Sequence, residues 1–203
     1  MTALSQSRRT IGARDGRTGF EVSALGFGAG TIAGWGDFSP TGTWADASPS
    51  DGDGLGAVDT AFAGGVSFYD TAPWYGRGRS ERRLGVALSN LPREAYHLQT
   101  KIGRFIVPGQ PTDNDSSGQP IADYQGRDTL EHGQPFGVVH DYTYDAIMRQ
   151  HADSLQRLGV SHVDSLVIHD LVRSTLESPL AAAYWLHRRC MWLAPCQRTI
   201  APH

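Results

Sequence analysis

Four residues of this chain form a set that can exchange a proton with a carbonyl oxygen: Asp70, Tyr75, Lys101 and His169. A phenol titrates near about 10, too high to serve well as acid or base around neutrality. A neighbouring ammonium stabilises phenolate, and a carboxylate beside that ammonium keeps it in place. An imidazole close by can hydrogen-bond a carbonyl and orient it. Such a set suits reduction of a C=O or the reverse oxidation. No side chain can deliver hydride, so the chemistry requires a nicotinamide cofactor, NADP or NAD. Taken singly, each residue has a plainer explanation: a turn-capping Asp before Thr, a packed Tyr, a salt-bridged Lys, a core His. Their joint spacing, each at or just past the end of an expected strand, favours the chemical reading.

Lys101 stands out by composition as well. It is the sole lysine, and all the other basic residues are arginines. Arg stays protonated in proteins, whereas a buried Lys shifts its pKa readily and can act on a neighbouring acid.

The elements that must carry these residues follow from hydrophobic pattern. Val66 to Asp70 follows Gly64-Gly65 and is β-branched and aromatic, a short buried strand ending at Asp70. Tyr96 to Gly103 and Val163 to His169 read as two more strands, closed by Lys101 and His169. Val22 to Gly28 reads as the first. Between them fall helices: Leu55, Val58 and Phe62 from a cap at Ser50 or Asp51, then Leu84, Leu88 and Leu91 from a cap at Ser80, then Tyr144 to Leu158 closed by Gly159. Strands alternating with helices mean βαβ units and a parallel sheet. In such sheets and barrels the carboxyl ends of the strands are where active sites are built.

Other stretches are less regular. Arg14-Asp-Gly16-Arg suits the turn of a hairpin. Gly28-Ala-Gly30-Thr-Ile-Ala33 spells the dinucleotide fingerprint G-x-G-x-x-A, yet the Gly- and Pro-bearing segment behind it does not suit a helix, so a loop is expected. Trp35 to Pro49 is a polar loop. Arg77, Arg79, Arg82 and Arg83, with Glu81 in the first turn, read as a solvated helix start rather than a phosphate site. Arg104 to His140, rich in Pro, Gly, Asp and Ser, reads as a long loop, of a kind that is functional or mobile. Beyond about residue 170 the pattern dissolves, and 171–203 is set apart as an atypical tail, possibly frameshifted.

Composition narrows the classes. With 203 residues, 39% hydrophobic content and a net charge of −3, the chain has the make-up of an ordinary globular protein. The mild acidity argues against a nucleic-acid binder. No run of apolar residues is long enough for a bilayer, so no membrane partner is expected. Two cysteines, Cys190 and Cys196, make no disulfide framework and fit a reducing cytoplasm. A zinc hydrolase using His140, Asp141, His169 and Asp170 lacks any His-x-His or His-Glu-x-x-His spacing, so no metal site is expected.

Asp70-Thr-Ala-Pro-Trp-Tyr75-Gly76, Thr100-Lys101-Ile-Gly103 and Ile168-His169-Asp170 together resemble the aldo-keto reductase family. The likeness leans toward the branch of aldose 1-dehydrogenases acting on L-fucose, D-threo-aldoses or L-galactose, which Asp141 to Asp145 and Ser154 to Gly159 also resemble. It covers about residues 22–170. The resemblance implies an α/β fold, a TIM-type (β/α)8 barrel with an N-terminal hairpin plugging its bottom, of which residues 1–170 hold the first four β/α units. It implies Tyr75 as acid/base, Lys101 and Asp70 as its tuners and His169 as the orienting residue, with Gly30, Thr31 and Asp70 against the cofactor. The implied substrate is a small carbonyl compound or sugar. The implied chain is a truncated one, weakly active or inactive and prone to self-association through an open sheet edge; the alternative is a non-catalytic regulatory or interaction fragment, since the family includes channel-associated subunits.

Overall fold

A computed structural model describes residues 7–12, 19–33, 51–108, 113–114 and 136–169. At its centre are four parallel strands in the order β3 (Phe27–Gly28), β4 (Phe68–Asp70), β5 (His97–Ile102) and β9 (Ser165–Ile168). The helices that join them are α1 (Asp51–Ala63), α2 (Arg79–Leu88) and α3 (Tyr144–Leu158). Register is continuous across the sheet: Gly28 lies beside Asp70, Asp70 beside Gln99, and Lys101 beside Val167.

The helices cover one face of this sheet through the side chains their periodicity selects. Val58 of α1, Leu84 and Leu88 of α2, Leu98 of β5 and Leu158 of α3 are all buried and share one cluster with Tyr69 and Tyr96. Burial of each leucine contributes about 1.5–3 kcal/mol. The approach of α2 to α3 depends on Gly85, where an added Cβ would overlap the backbone of Leu158. Glu81, fully buried, ties the layers together: it accepts Thr100 Oγ1 at 2.7 Å and Arg157 Nε at 2.5 Å, joining α2 to β5 and α3.

An antiparallel hairpin, β1 (Arg8–Ile11) with β2 (Phe20–Ser23), is fastened at the amino ends of the strands. Ser23 and Ser67 exchange backbone-to-hydroxyl bonds at 2.9 and 2.8 Å, Arg8 donates to Ser67 Oγ at 2.7 Å, and the Phe20 ring packs on His97. The hairpin therefore lies opposite the edge that bears the candidate chemistry.

Four details depart from the sequence-based expectation. The first sheet strand is only Phe27–Gly28, because Val22 and Ser23 are already spent on the hairpin. The fingerprint glycines lead, as expected, into no α-helix, but the segment expected as loop includes a 3-10 turn, Thr31–Ala33. Helix α2 begins after Gly78, so Ser80 lies inside it and donates instead to Ala29 O at 2.6 Å, while Leu91 packs on the core from beyond the helix end. The long segment after Lys101 is not all loop: β6 (Arg104–Pro108) pairs antiparallel with β8 (Phe136–His140), and β7 (Asp113–Asn114) pairs parallel with β8. The hairpin tip at Arg14–Arg17, the loop Trp35 to Pro49, Ser50, Asp170 and the stretch 171–203 lie outside the described residues.

Candidate active site

The site is assembled on the carboxyl edge of the parallel sheet. Asp70 ends β4, and Lys101 lies near the end of β5 on the neighbouring strand. Lys101 Nζ donates to Asp70 Oδ2 at 2.6 Å and to Thr71 O at 3.1 Å. Gln99 Nε2 holds the other carboxylate oxygen at 2.7 Å, so Asp70 is gripped from both sides.

Tyr75 is positioned by a compact turn. Gly78 N bonds to Pro73 O, Arg77 N to Trp74 O and Ser80 N to Tyr75 O, which folds Pro73 to Gly78 back onto the start of α2. Gly76, Arg77 and Gly78 all have positive φ, 56°, 50° and 85°, the left-handed region that glycine tolerates and arginine seldom enters. The turn delivers the Tyr75 ring beneath Lys101, whose Nζ stands 4.7 Å from the ring centroid. Gly30 lies against the same ring: a Cβ there would sit 3.8 Å from it. Thr31 next to it is exposed.

His169 completes the group. Its backbone N–H bonds to Ile102 O at 2.9 Å, extending the β5–β9 ladder by one residue. Its ring meets Tyr75 edge-to-face at 5.5 Å and Trp74 at 5.7 Å. Burial, reinforced by the charges of Arg104 and Lys101 and by His140, pushes its pKa down to about 3. His169 is therefore a neutral imidazole throughout the physiological range. Asp70, Tyr75, Lys101 and His169, spread over almost a hundred residues of sequence, stand in one continuous chain of contacts.

Several supporting residues carry no distinctive signal in the sequence. Gln150, buried on α3, accepts Gly103 N at 2.9 Å and donates to Lys101 O and Arg104 O at 3.2 and 2.7 Å. It thereby pins the backbone that carries Lys101. Arg104 lies over the Trp74 ring at 4.4 Å and donates from Nε to His140 Nε2 at 2.7 Å. Of the arginines read as solvated, Arg79 and Arg83 bond the carbonyls of Ala33 and Ile32, and Arg77 is buried. Glu81, read with them, is fully buried. The rival metal set is otherwise engaged in part: His140 Nε2 accepts Arg104, and Asp141 Oδ1 accepts Thr143 N at 2.8 Å. Among the described residues no group of three His, Cys, Asp or Glu gathers as a metal site would require, and no helix is long and apolar enough to cross a membrane.

Fold and site together define a parallel β/α protein with a Tyr–Lys–Asp–His cluster at the strand ends. Comparison with known proteins is more specific. The model of the Aldo/keto reductase family matches residues 24–187, and the chain belongs to that family. The match extends past Asp170 into the stretch set apart as a tail. Among curated relatives, pyridoxal 4-dehydrogenase of Microbacterium luteolum is 35% identical over 79% of this chain and 43% of its own length. D-threo-aldose 1-dehydrogenase of a Pseudomonas species is 32% identical over 82% and 45%, and L-galactose dehydrogenase of Arabidopsis thaliana 30% identical over 80% and 39%. The chain thus spans less than half the length of these relatives. Of solved structures, the glycerol dehydrogenase of Gluconobacter oxydans superposes with a TM-score of 0.53 at 27% identity, covering 82% of this chain and 40% of that one. The holo form of an aldo-keto reductase from Bacillus halodurans gives 0.52 at 23% identity, covering 84% and 44%. These structures are TIM barrels, and the described fold is part of one.

Proposed function

We propose that this chain carries the catalytic cluster of an NAD(P)(H)-dependent oxidoreductase acting on the aldehyde or lactol carbon of an aldose or a related carbonyl compound. The observation that supports it most is the placement of Lys101, ion-paired with Asp70 and set over the ring of Tyr75 while His169 abuts the same ring. In the reducing direction the Tyr75 hydroxyl gives its proton to the substrate oxygen, and in the oxidising direction it takes that proton back. Lys101, over the Tyr75 ring, stabilises the negative charge that develops as the phenol gives up its proton, and Asp70 and Thr71 O hold the ammonium there. Neutral His169 has one ring N–H to donate to the substrate oxygen, which fixes the carbonyl beside Tyr75. Gly30 lies within van der Waals reach of the Tyr75 ring, and the exposed Thr31 follows it at the same sheet edge as the Asp70 carboxylate. Gly30, Thr31 and Asp70 would hold the nicotinamide cofactor, which supplies the hydride when bound.

The same reading takes residues 1–170 as the first four β/α units of the barrel, supported by the four parallel strands β3-β4-β5-β9. It includes association between copies along β9, which has one neighbour among the described residues and a half-exposed Val167. The test is to titrate the protein with NADPH and NADH while following tryptophan fluorescence, and to assay L-fucose, L-galactose, D-threo-aldoses and pyridoxal. Weak nicotinamide binding and weak or absent turnover are expected of this chain, and any turnover should vanish in Tyr75→Phe. Turnover that survives Tyr75→Phe undiminished would overturn the assignment of Tyr75, and a solution mass of one chain at all concentrations would remove the association.

A further inference from the structure

The aromatic rings at this site form one continuous stack with a cation at each end. Arg104 lies over Trp74, Trp74 meets His169, His169 meets Tyr75, and Lys101 lies over Tyr75. The two cations are only three residues apart in sequence. A tight turn at Gly103, φ 95°, separates them, and a side chain there would overlap the Tyr142 ring. Gln150 clamps the backbone on both sides of that turn. Arg104 is further fixed by donating to the buried His140. Lys101 serves the phenol directly, whereas Arg104 meets the stack at Trp74, beyond the ring of His169.

We propose that Arg104 is a positioning residue of the site: it clamps Trp74 against His169 and so holds that imidazole edge-on to Tyr75, with the positive charges of Arg104 and Lys101 set at the two ends of the row of rings. An imidazolium would be flanked by guanidinium and ammonium, so the charged ring is disfavoured from both ends. Among the described residues, the groups that face His169 include Lys101 from β5, Arg104 from β6, His140 from β8, and Trp74 and Tyr75 from the turn before α2. A neutral ring offers a donor to a carbonyl without a proton acidic enough to compete with the phenol. This inference rests on the carbonyl chemistry proposed above, but its test does not need turnover.

The His169 Cε1–H resonance, assigned by its loss in His169→Gln, is titrated in the wild type and in Arg104→Gln, Arg104→Glu and Arg104→Lys. The expected midpoint rises by about one pH unit in the Gln variant and by about two in the Glu variant, and stays low in the Lys variant. Should the Glu variant not fold, the Gln and Lys pair still decides the question. Identical midpoints in Gln and wild type overturn the proposal, as does an equal rise in Gln and Lys, which would mark loosened packing and not charge. Failure here leaves the role of Tyr75 standing, because the titration reads Arg104 and His169 alone.

Discussion

Replacing Lys101 separates its proposed role from a merely structural one. Lys101→Met keeps much of the stem but removes the ammonium that joins Asp70 to the Tyr75 ring. In the nicotinamide-dependent assay kcat should fall by about a hundredfold or more while KM moves far less, because the charge matters as the phenol gives up its proton. A rise in KM with kcat intact would reduce Lys101 to a substrate contact. At this scale much of the site was legible, since Asp70, Tyr75, Lys101 and His169 are residue types with distinctive chemistry at the ends of readable strands. Glu81 was not. A glutamate in a helix's first turn looks solvated, and only the pairing with Arg157, far along the chain, shows it buried. Glu81→Gln should therefore cost about 3–5 kcal/mol by leaving Arg157 without its carboxylate. Thermal or urea melts measure this, and a loss under about 1 kcal/mol would mean Arg157 finds water instead.

The elements themselves were legible where local signals exist. Helix α3 ends at a left-handed Gly159, the stop readable from the sequence, while the Thr143 cap, whose hydroxyl accepts Ala146 N, emerges from the structure. Pairing of β6 with β8 carries no local signal, because strands separated by a long excursion recognise each other only in three dimensions. The same holds for the crossing of α2 and α3. Gly85 sits in an ordinary helical pattern, yet its missing Cβ is what lets Leu158 approach. Gly85→Ala should destabilise the protein by about 1–3 kcal/mol through overpacking, although alanine is the better helix former. A neutral or stabilising result in denaturant melts would show that the two helices can part without loss. Gln150→Leu should cost a similar amount, since it strips partners from Gly103 N, Lys101 O and Arg104 O inside the fold.

Across the whole molecule, burying His169 at the centre of the cationic stack makes stability depend on pH. The parallel β/α class followed from the alternation of strands and helices, but the depth at which this imidazole lies did not, because the rings of Trp74 and Tyr75 reach it only through the turn before α2. In the folded protein its pKa is held at about 3, chiefly by burial, whereas an unfolded chain releases the proton near about 6.5. Between those values the unfolded state binds a proton that the folded state refuses. The contribution is therefore complete above about pH 6.5 and is lost as pH falls toward the folded value, at up to about 1.4 kcal/mol per pH unit. His97 and His151, also lowered by burial, act in the same direction. Urea melts at pH 7.5, 6.5, 5.5 and 4.5 should give a falling free energy of unfolding, shallower in His169→Gln, which has no imidazole to protonate. Parallel curves for wild type and variant would mean that His169 takes up its proton without disturbing the fold, and that the stack around it is open to water.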